Sequence, residues 1–178
     1  PELPTTQAFL KFGDTADYAP APGGDFETGA AGWTLTNSTL ISGNESLGIT
    51  SGSKSLLLGG PKTGGTATAI SPEFCMNETH PTFRYVAKNN STAAGILYAS
   101  LRFRPKQNPN VVIQVTTSAT VGQSSWNPSE PIPLATLIAS SYLKKGGSVQ
   151  LVLSTSAATA NSGGVQLDSL LVDPYRRG

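Results

Sequence analysis

Carboxylates, thiols and imidazoles are the side chains most able to do chemistry, and this chain is sparing with all of them. One histidine and one cysteine occur in 178 residues, beside 11 acidic side chains. Asp25, Glu27 and Asp168 are the carboxylates whose placement points to a site. Asp25 and Glu27 fall near the start of the chain and Asp168 near its end. In a chain built of strands, the first and last can lie side by side in one sheet. Glu27 and Asp168 meeting there, helped by loop carbonyls, would suit a structural calcium, which takes roughly six to eight oxygens. The alternative is that each is solvated separately or caps a turn.

Other catalytic constellations find little support. His80 is followed by Pro81 in a turn, and no G-x-S-x-G elbow accompanies it. Cys75 beside His80 would be the only route to cysteine catalysis. Gly59-Gly60-Pro61-Lys62-Thr63 lacks the glycine a phosphate loop needs before its lysine, and no helix is expected after it. No Cys/His cluster suggests zinc. Between Thr79 and Ser129 there is no Asp or Glu, while Arg84, Lys88, Arg102, Arg104 and Lys106 all fall there. A surface with cations and no carboxylates cannot run paired-carboxylate chemistry, so no enzyme is expected. Arg84, Tyr98, Arg102 and Arg104, with Trp126 from a loop, would instead grip a polar ligand such as a polysaccharide. Aromatic faces stack on sugars, and arginine donates forked hydrogen bonds. The alternative is an ordinary solvated face on which arginine stems cover Tyr98.

The elements that must position these residues are strands. Segments 82–88, 96–104 and 111–117 alternate apolar and polar residues, the mark of a half-buried strand. In the second, Leu97, Ala99, Leu101 and Phe103 share one face, and Tyr98, Ser100, Arg102 and Arg104 the other. Further strands are expected at 25–27, 33–40, 43–49, 53–58, 65–70, 149–155 and 165–172, with one short helix over 134–143. About nine or ten short strands predict an all-β antiparallel β-sandwich of jelly-roll type. Trp33, Phe83, Tyr85, Leu97, Leu101, Phe103, Val111, Ile113, Val115, Leu151 and Leu153 should point inward.

Residues 1–24 read as an extended N-terminal arm, and residues 25–178 as one sandwich domain. Prolines 1, 4, 20 and 22 cannot donate ladder hydrogen bonds, which suits an edge or groove. Phe9, Leu10 and Phe12 are expected to bury on a neighbour's sheet edge, which makes the chain a self-associating extracellular structural subunit of a surface layer or filament. If the arm folds back on its own sandwich, that motive disappears, and a carbohydrate-binding module is the alternative function.

Charged residues make up only 13% of the chain and the net charge is +1. No strong field would recruit nucleic acid or an anionic membrane, and the apolar runs are too short to span one. Export is expected, since the chain opens at Pro1 without a signal peptide. Cys75 is either a small buried apolar residue or one half of a disulfide whose partner precedes Pro1. Sequons at Asn37, Asn44, Asn77, Asn89 and Asn90 would matter only in a eukaryotic secretory route.

Asp25-Phe26-Glu27, Gly32-Trp33, Ser53-Lys54-Ser55-Leu56 and Val165-Gln166-Leu167-Asp168 follow one another in an order that resembles jelly-roll carbohydrate-binding modules. The resemblance implies a structural calcium on Glu27 and Asp168, with backbone oxygens from residues 51–53. Such modules show several aromatics on their concave strands, whereas here only Tyr98 faces out among the middle strands. The chain also resembles a group of uncharacterised secreted actinobacterial sandwich proteins. That likeness runs through Pro22-Gly23-Gly24-Asp25-Phe26-Glu27, Gly43-Asn44-Glu45, Pro72-Glu73-Phe74-Cys75 and Val172-Asp173-Pro174-Tyr175-Arg176-Arg177. It implies export, a sandwich fold and a cysteine preceding Pro1 as partner to Cys75.

Overall fold

Alternating apolar residues on short strands can be buried only by laying one sheet on another, and the chain does so. The computed structural model describes residues 5–60, 64–76, 82–122, 124–133, 138 and 140–172, without the side chains of Met76 and Ser140. His80, the first four residues, the end of the Gly59–Thr63 stretch, residues 134–137 of the expected helix and the segment after Val172 lie outside the described residues.

In chain order the strands are β1 (Ala19–Pro20), β2 (Thr34–Thr36), β3 (Ser38–Ser42), β4 (Lys54–Leu58), β5 (Ala67–Ile70), β6 (Phe74–Met76), β7 (Thr82–Asn89), β8 (Gly95–Pro105), β9 (Ile113–Val121), β10 (Asn127–Pro128), β11 (Ile132–Pro133), β12 (Gly147–Thr155) and β13 (Val165–Val172). A helical turn spans Leu10–Phe12, and α1 (Ser140–Leu143) and α2 (Ala157–Asn161) are short. The first sheet runs β10-β7-β13-β4-β3, and the second runs β2-β5-β12-β8-β9. All pairings are antiparallel. Short strands share edges in tandem: β1 follows β4 along β13, β11 follows β10 along β7, and β6 follows β5 along β12. The expected sandwich is thus present.

The inter-sheet core holds Phe26, Trp33, Leu56, Leu58, Phe83, Tyr85, Leu97, Leu101, Phe103, Leu151, Leu153 and Leu167. Of the residues expected inward, Ile113 and Val115 are half-buried against this core, and Val111 is exposed because β9 begins only at Ile113. Three expected elements differ. Residues 25–27 form a turn, with Phe26 at φ 58° and its ring 5.3 Å from Trp33 in the core. Segment 33–40 breaks at Asn37 (φ 49°), where the chain leaves the second sheet for the first. Asparagine tolerates that left-handed conformation better than most residues, and its side-chain amide donates to the Thr66 carbonyl at 2.9 Å. Segment 43–49 is a loop.

A second, smaller core lies on the outer face of the first sheet. Phe9 and Tyr18 from the arm cover Val86 of β7 and Leu171 of β13, with Leu47, Ile49 and Trp126 at the margin. This corrects the expectation that Phe9 packs on a neighbour: it is fully buried within its own chain. Leu10 and Phe12 remain exposed. The centre of the first sheet, β7 and β13, is therefore covered on both faces, and every residue of β13 is buried.

Candidate functional site

The outer face of the second sheet is open. On β8 the outward residues are Tyr98, Ser100, Arg102 and Arg104, because Leu97, Ala99, Leu101 and Phe103 take the core. Antiparallel register sets their neighbours in rows across the face. Tyr98 lies between Ser154 and Ser118, Ser100 between Val152 and Thr116, and Arg102 between Gln150 and Gln114. Arg102 Nε donates to Gln114 Oε1 at 3.1 Å, and Ser100 and Thr116 share a 2.7 Å hydroxyl contact. Ser100 and Val152 are nearly buried although they face outward, which makes the centre of the face a trough between longer side chains. Tyr98 is 37% exposed at one end. Arg104 at the other is held by the Pro109 carbonyl at 2.9 Å and by Glu73 at 3.6 Å. No strand of this sheet carries an Asp or Glu.

The expected ligand set is thus split between two sheets. Tyr98, Arg102 and Arg104 share the open face, but Arg84 and Trp126 do not join them. β7 and β8 follow one another in sequence yet belong to different sheets. Arg84 is buried under the arm, where its Nη1 donates to Asp14 Oδ2 at 2.7 Å and its Nε to the Ser129 carbonyl at 2.8 Å. Its guanidinium also lies 4.1 Å from the centre of the Phe9 ring. Burial pushes the Asp14 carboxyl up, but the Ala16 N–H, the Tyr18 hydroxyl and the Arg84 guanidinium outweigh it and hold Asp14 below its ordinary range. Burial and Asp14 push the Tyr18 hydroxyl up to about 12. Trp126 stacks beside Lys88 on the same covered face.

The carboxylates form a second constellation. In β13 the register slips between Asp168 and Leu171, with Ser169 at φ 51°. That bulge reverses the strand's parity, so Asp168 leaves the core while Leu170 and Val172 enter it. Gly24 seats against the bulge, where a side chain would overlap the Leu170 carbonyl. Asp168 accepts from the Glu45 N–H at 2.8 Å and the Ser169 N–H at 2.7 Å. Glu45, not anticipated as a site residue, accepts in turn from the N–H groups of Leu47, Ile49 and Thr50 and organises loop 43–53. Glu27 accepts from the Lys54 N–H at 2.7 Å and the Ser53 hydroxyl at 3.2 Å, contacts that hold it below its ordinary range against a smaller effect of burial. Asp25 caps its own turn through the Glu27 N–H. Burial pushes the Asp168 carboxyl up to about 7, its two N–H partners oppose this, and the charges of Glu45 and Glu27 add to the rise.

The charge of Glu27 is felt at Asp168, but the two do not come from neighbouring strands: the strand beside β13 at that end is β1. Glu27 arrives from a turn, not a strand. The donors are hard oxygens, and the buried Asn44 Oδ1 beside Glu45 has no partner, so the chemistry fits calcium. As they stand, no three His, Cys, Asp or Glu among the described residues converge closely enough to ligate one ion. Cys75 is free and exposed on β6, contrary to the expectation of a small buried residue, because its strand lies at the sheet margin.

No sequence family matches the chain, and no curated protein does. Solved structures are similar in fold. A family 11 carbohydrate-binding module from Clostridium thermocellum, solved with a β-1,3-1,4-mixed-linked tetrasaccharide, has a TM-score of 0.54 at 14% identity, over 90% of this chain and 98% of that one. A carbohydrate-binding module of family 28, specific for non-crystalline cellulose, has a TM-score of 0.51 at 15% identity, over 86% of this chain and 94% of that one. The enzymatically active domain of a bacteriophage CBA120 tailspike protein has a TM-score of 0.59 at 16% identity. There 86% of this chain is covered, but it spans only 21% of the tailspike chain. At these identities the likeness is one of fold.

Proposed function

We propose that this chain is a non-catalytic carbohydrate-binding module that works outside the cell and takes a polysaccharide along the open face of its second sheet. The observation that carries this is the face itself: a trough of hydroxyl, amide and guanidinium groups with Tyr98 at one end and no carboxylate on any of its strands. Such groups hydrogen-bond sugar hydroxyls, Tyr98 offers a stacking surface, and nothing on the strands supplies an acid-base pair. The full-length structural likeness to two polysaccharide-binding modules supports the same reading. A calcium drawn to Glu27 and Asp168 would need the 25–27 turn and loop 43–53 to close on it, and would then neutralise those two carboxylates and tie the loop to β13.

The test is binding of mixed-linkage β-glucan and of non-crystalline cellulose by affinity electrophoresis and calorimetry. Tyr98→Ala should weaken binding by about tenfold while leaving the melting temperature nearly unchanged, as loss of an exposed stacking surface requires. Failure to bind any polysaccharide would remove this function. The structural-subunit reading takes second place, since Phe9 is spent on its own chain and only Leu10 and Phe12 of the arm set stay exposed.

A further inference from the structure

The open face does not end at Arg104. Beyond it lies a cavity of about 560 Å³ lined by Arg104, Lys106, Lys144, Lys145, Ser148 and Cys75. Two turns bring the lysines together. One follows β8 and carries Lys106; the other follows α1 and carries Lys144 and Lys145. The Lys106 N–H donates to the Gly146 carbonyl at 3.0 Å and locks the turns to each other. The Gly146 N–H in turn donates to Leu143 at 2.9 Å. The wall thus gathers four cationic residues with little acidic compensation. Among the described residues the only carboxylate in ion-pair range of these cations is Glu73, beside Arg104 and itself half exposed. A net charge of +1 for the whole chain makes this concentration local. A concave wall of one sign focuses its field on a small volume.

The cavity is continuous with the proposed glycan face, since Ser148 and Arg104 pair in its last row. Tyr98 and Arg104 are six residues apart on one strand, about 20 Å at the usual rise. We infer that the cavity takes the acid group of an anionic glycan, bearing carboxylate or sulfate, whose chain runs along β8 to Tyr98. This inference rests on the carbohydrate-binding reading and specifies its ligand. Duplex nucleic acid fits less well, because it needs a basic stripe along an extended surface and these charges are confined to one end of a largely neutral face.

The test uses the full chain at low salt with four probes: polygalacturonate, dextran sulfate, neutral mixed-linkage β-glucan and a duplex oligonucleotide. The double variant K144A/K145A should weaken binding of the acidic glycan by about tenfold and leave neutral-glucan binding unchanged, as removal of two exposed charge contacts predicts. K144R/K145R should retain it. Both lysines are exposed, so a folding defect is not expected, and a melt checks this. Whichever acidic polymer binds more tightly names the acid group. Unchanged acidic-glycan affinity in K144A/K145A overturns the inference, as does an oligonucleotide that binds more tightly than any glycan. Binding of neutral glucan without any acidic glycan overturns it too, while leaving the carbohydrate-binding function intact. Binding of neither kind of glycan removes both.

Discussion

Three carboxylates, one of them shifted in the opposite direction to the other two, set the protein's response to pH. The Asp168 carboxyl titrates in the folded chain near 7, against an ordinary value of 3.8. Between those values the folded chain holds a proton that the unfolded chain releases, so stability rises as pH falls through this window and declines as pH rises through it. Asp14 and Glu27 have the opposite sign. Their folded values lie below 3.8 and 4.5, so the stability they add is present above those values and lost in strong acid. With chelator present, the melting temperature should peak at roughly pH 4 and fall on both sides. If the proposed calcium binds the ionised carboxylates, adding it should raise the alkaline limb by mass action. A limb that stays flat between about pH 5 and pH 8 in chelator would contradict the burial of Asp168, and a melt indifferent to calcium would remove the metal. Arg84 is the other residue to probe. Its pair with Asp14 is largely buried, with side chains 6% and 19% exposed. Arg84→Ala should cost about 3 kcal/mol in urea unfolding, because it strands Asp14 and uncovers Phe9. Arg84→Lys should recover little of this, since only a guanidinium reaches Asp14 and the Ser129 carbonyl together.

Among the elements, the arm is the one whose role changed most between sequence and structure. Removing residues 1–17 takes away Phe9 and Asp14, exposes Val86 and Leu171 and leaves Arg84 unpaired. The inter-sheet core does not use those side chains. The truncated chain should therefore fold but unfold at lower urea, with its size in solution unchanged. A full-length chain that assembles, beside a truncated one that does not, would return Leu10 and Phe12 to an association role. Strand existence was legible wherever alternation was strong: 82–88, 96–104 and 165–172 match β7, β8 and β13 closely. Which strands pair was not legible, because β7 and β8 separate across the sandwich instead of forming a hairpin, and no local pattern encodes that. Hence Tyr98, Arg102 and Arg104 were grouped correctly and Arg84 was not. Glu45 escaped notice because an isolated acid in a polar loop looks solvated until the loop's N–H groups close on it. The bulge at Ser169 depends on Gly24, which lies far off in sequence, and so had no signal inside β13.

At the scale of the molecule the two sheets are unequal: one is covered at its centre on both faces, and the other is left open on its outer side. The first sheet has β13 at its centre, joining β7 on one edge to β4 and β1 on the other. That placement has a consequence for synthesis. Chains emerge N-terminal end first at about 5–20 residues per second. The backbone of the open sheet is complete once β12 has emerged, whereas β1, β4 and β7 must wait for the strand that connects them. Until residue 172 is available, β4 and β7 each keep one edge without its partner strand. A chain stopped after residue 164 should accordingly be cut by protease within β4 and β7 at concentrations the full chain resists. Resistance equal to the full chain would mean that the first sheet can close without its centre. On that expectation the first sheet closes only when β13 arrives, and any holding factor the nascent chain meets must keep β4 and β7 apart until then.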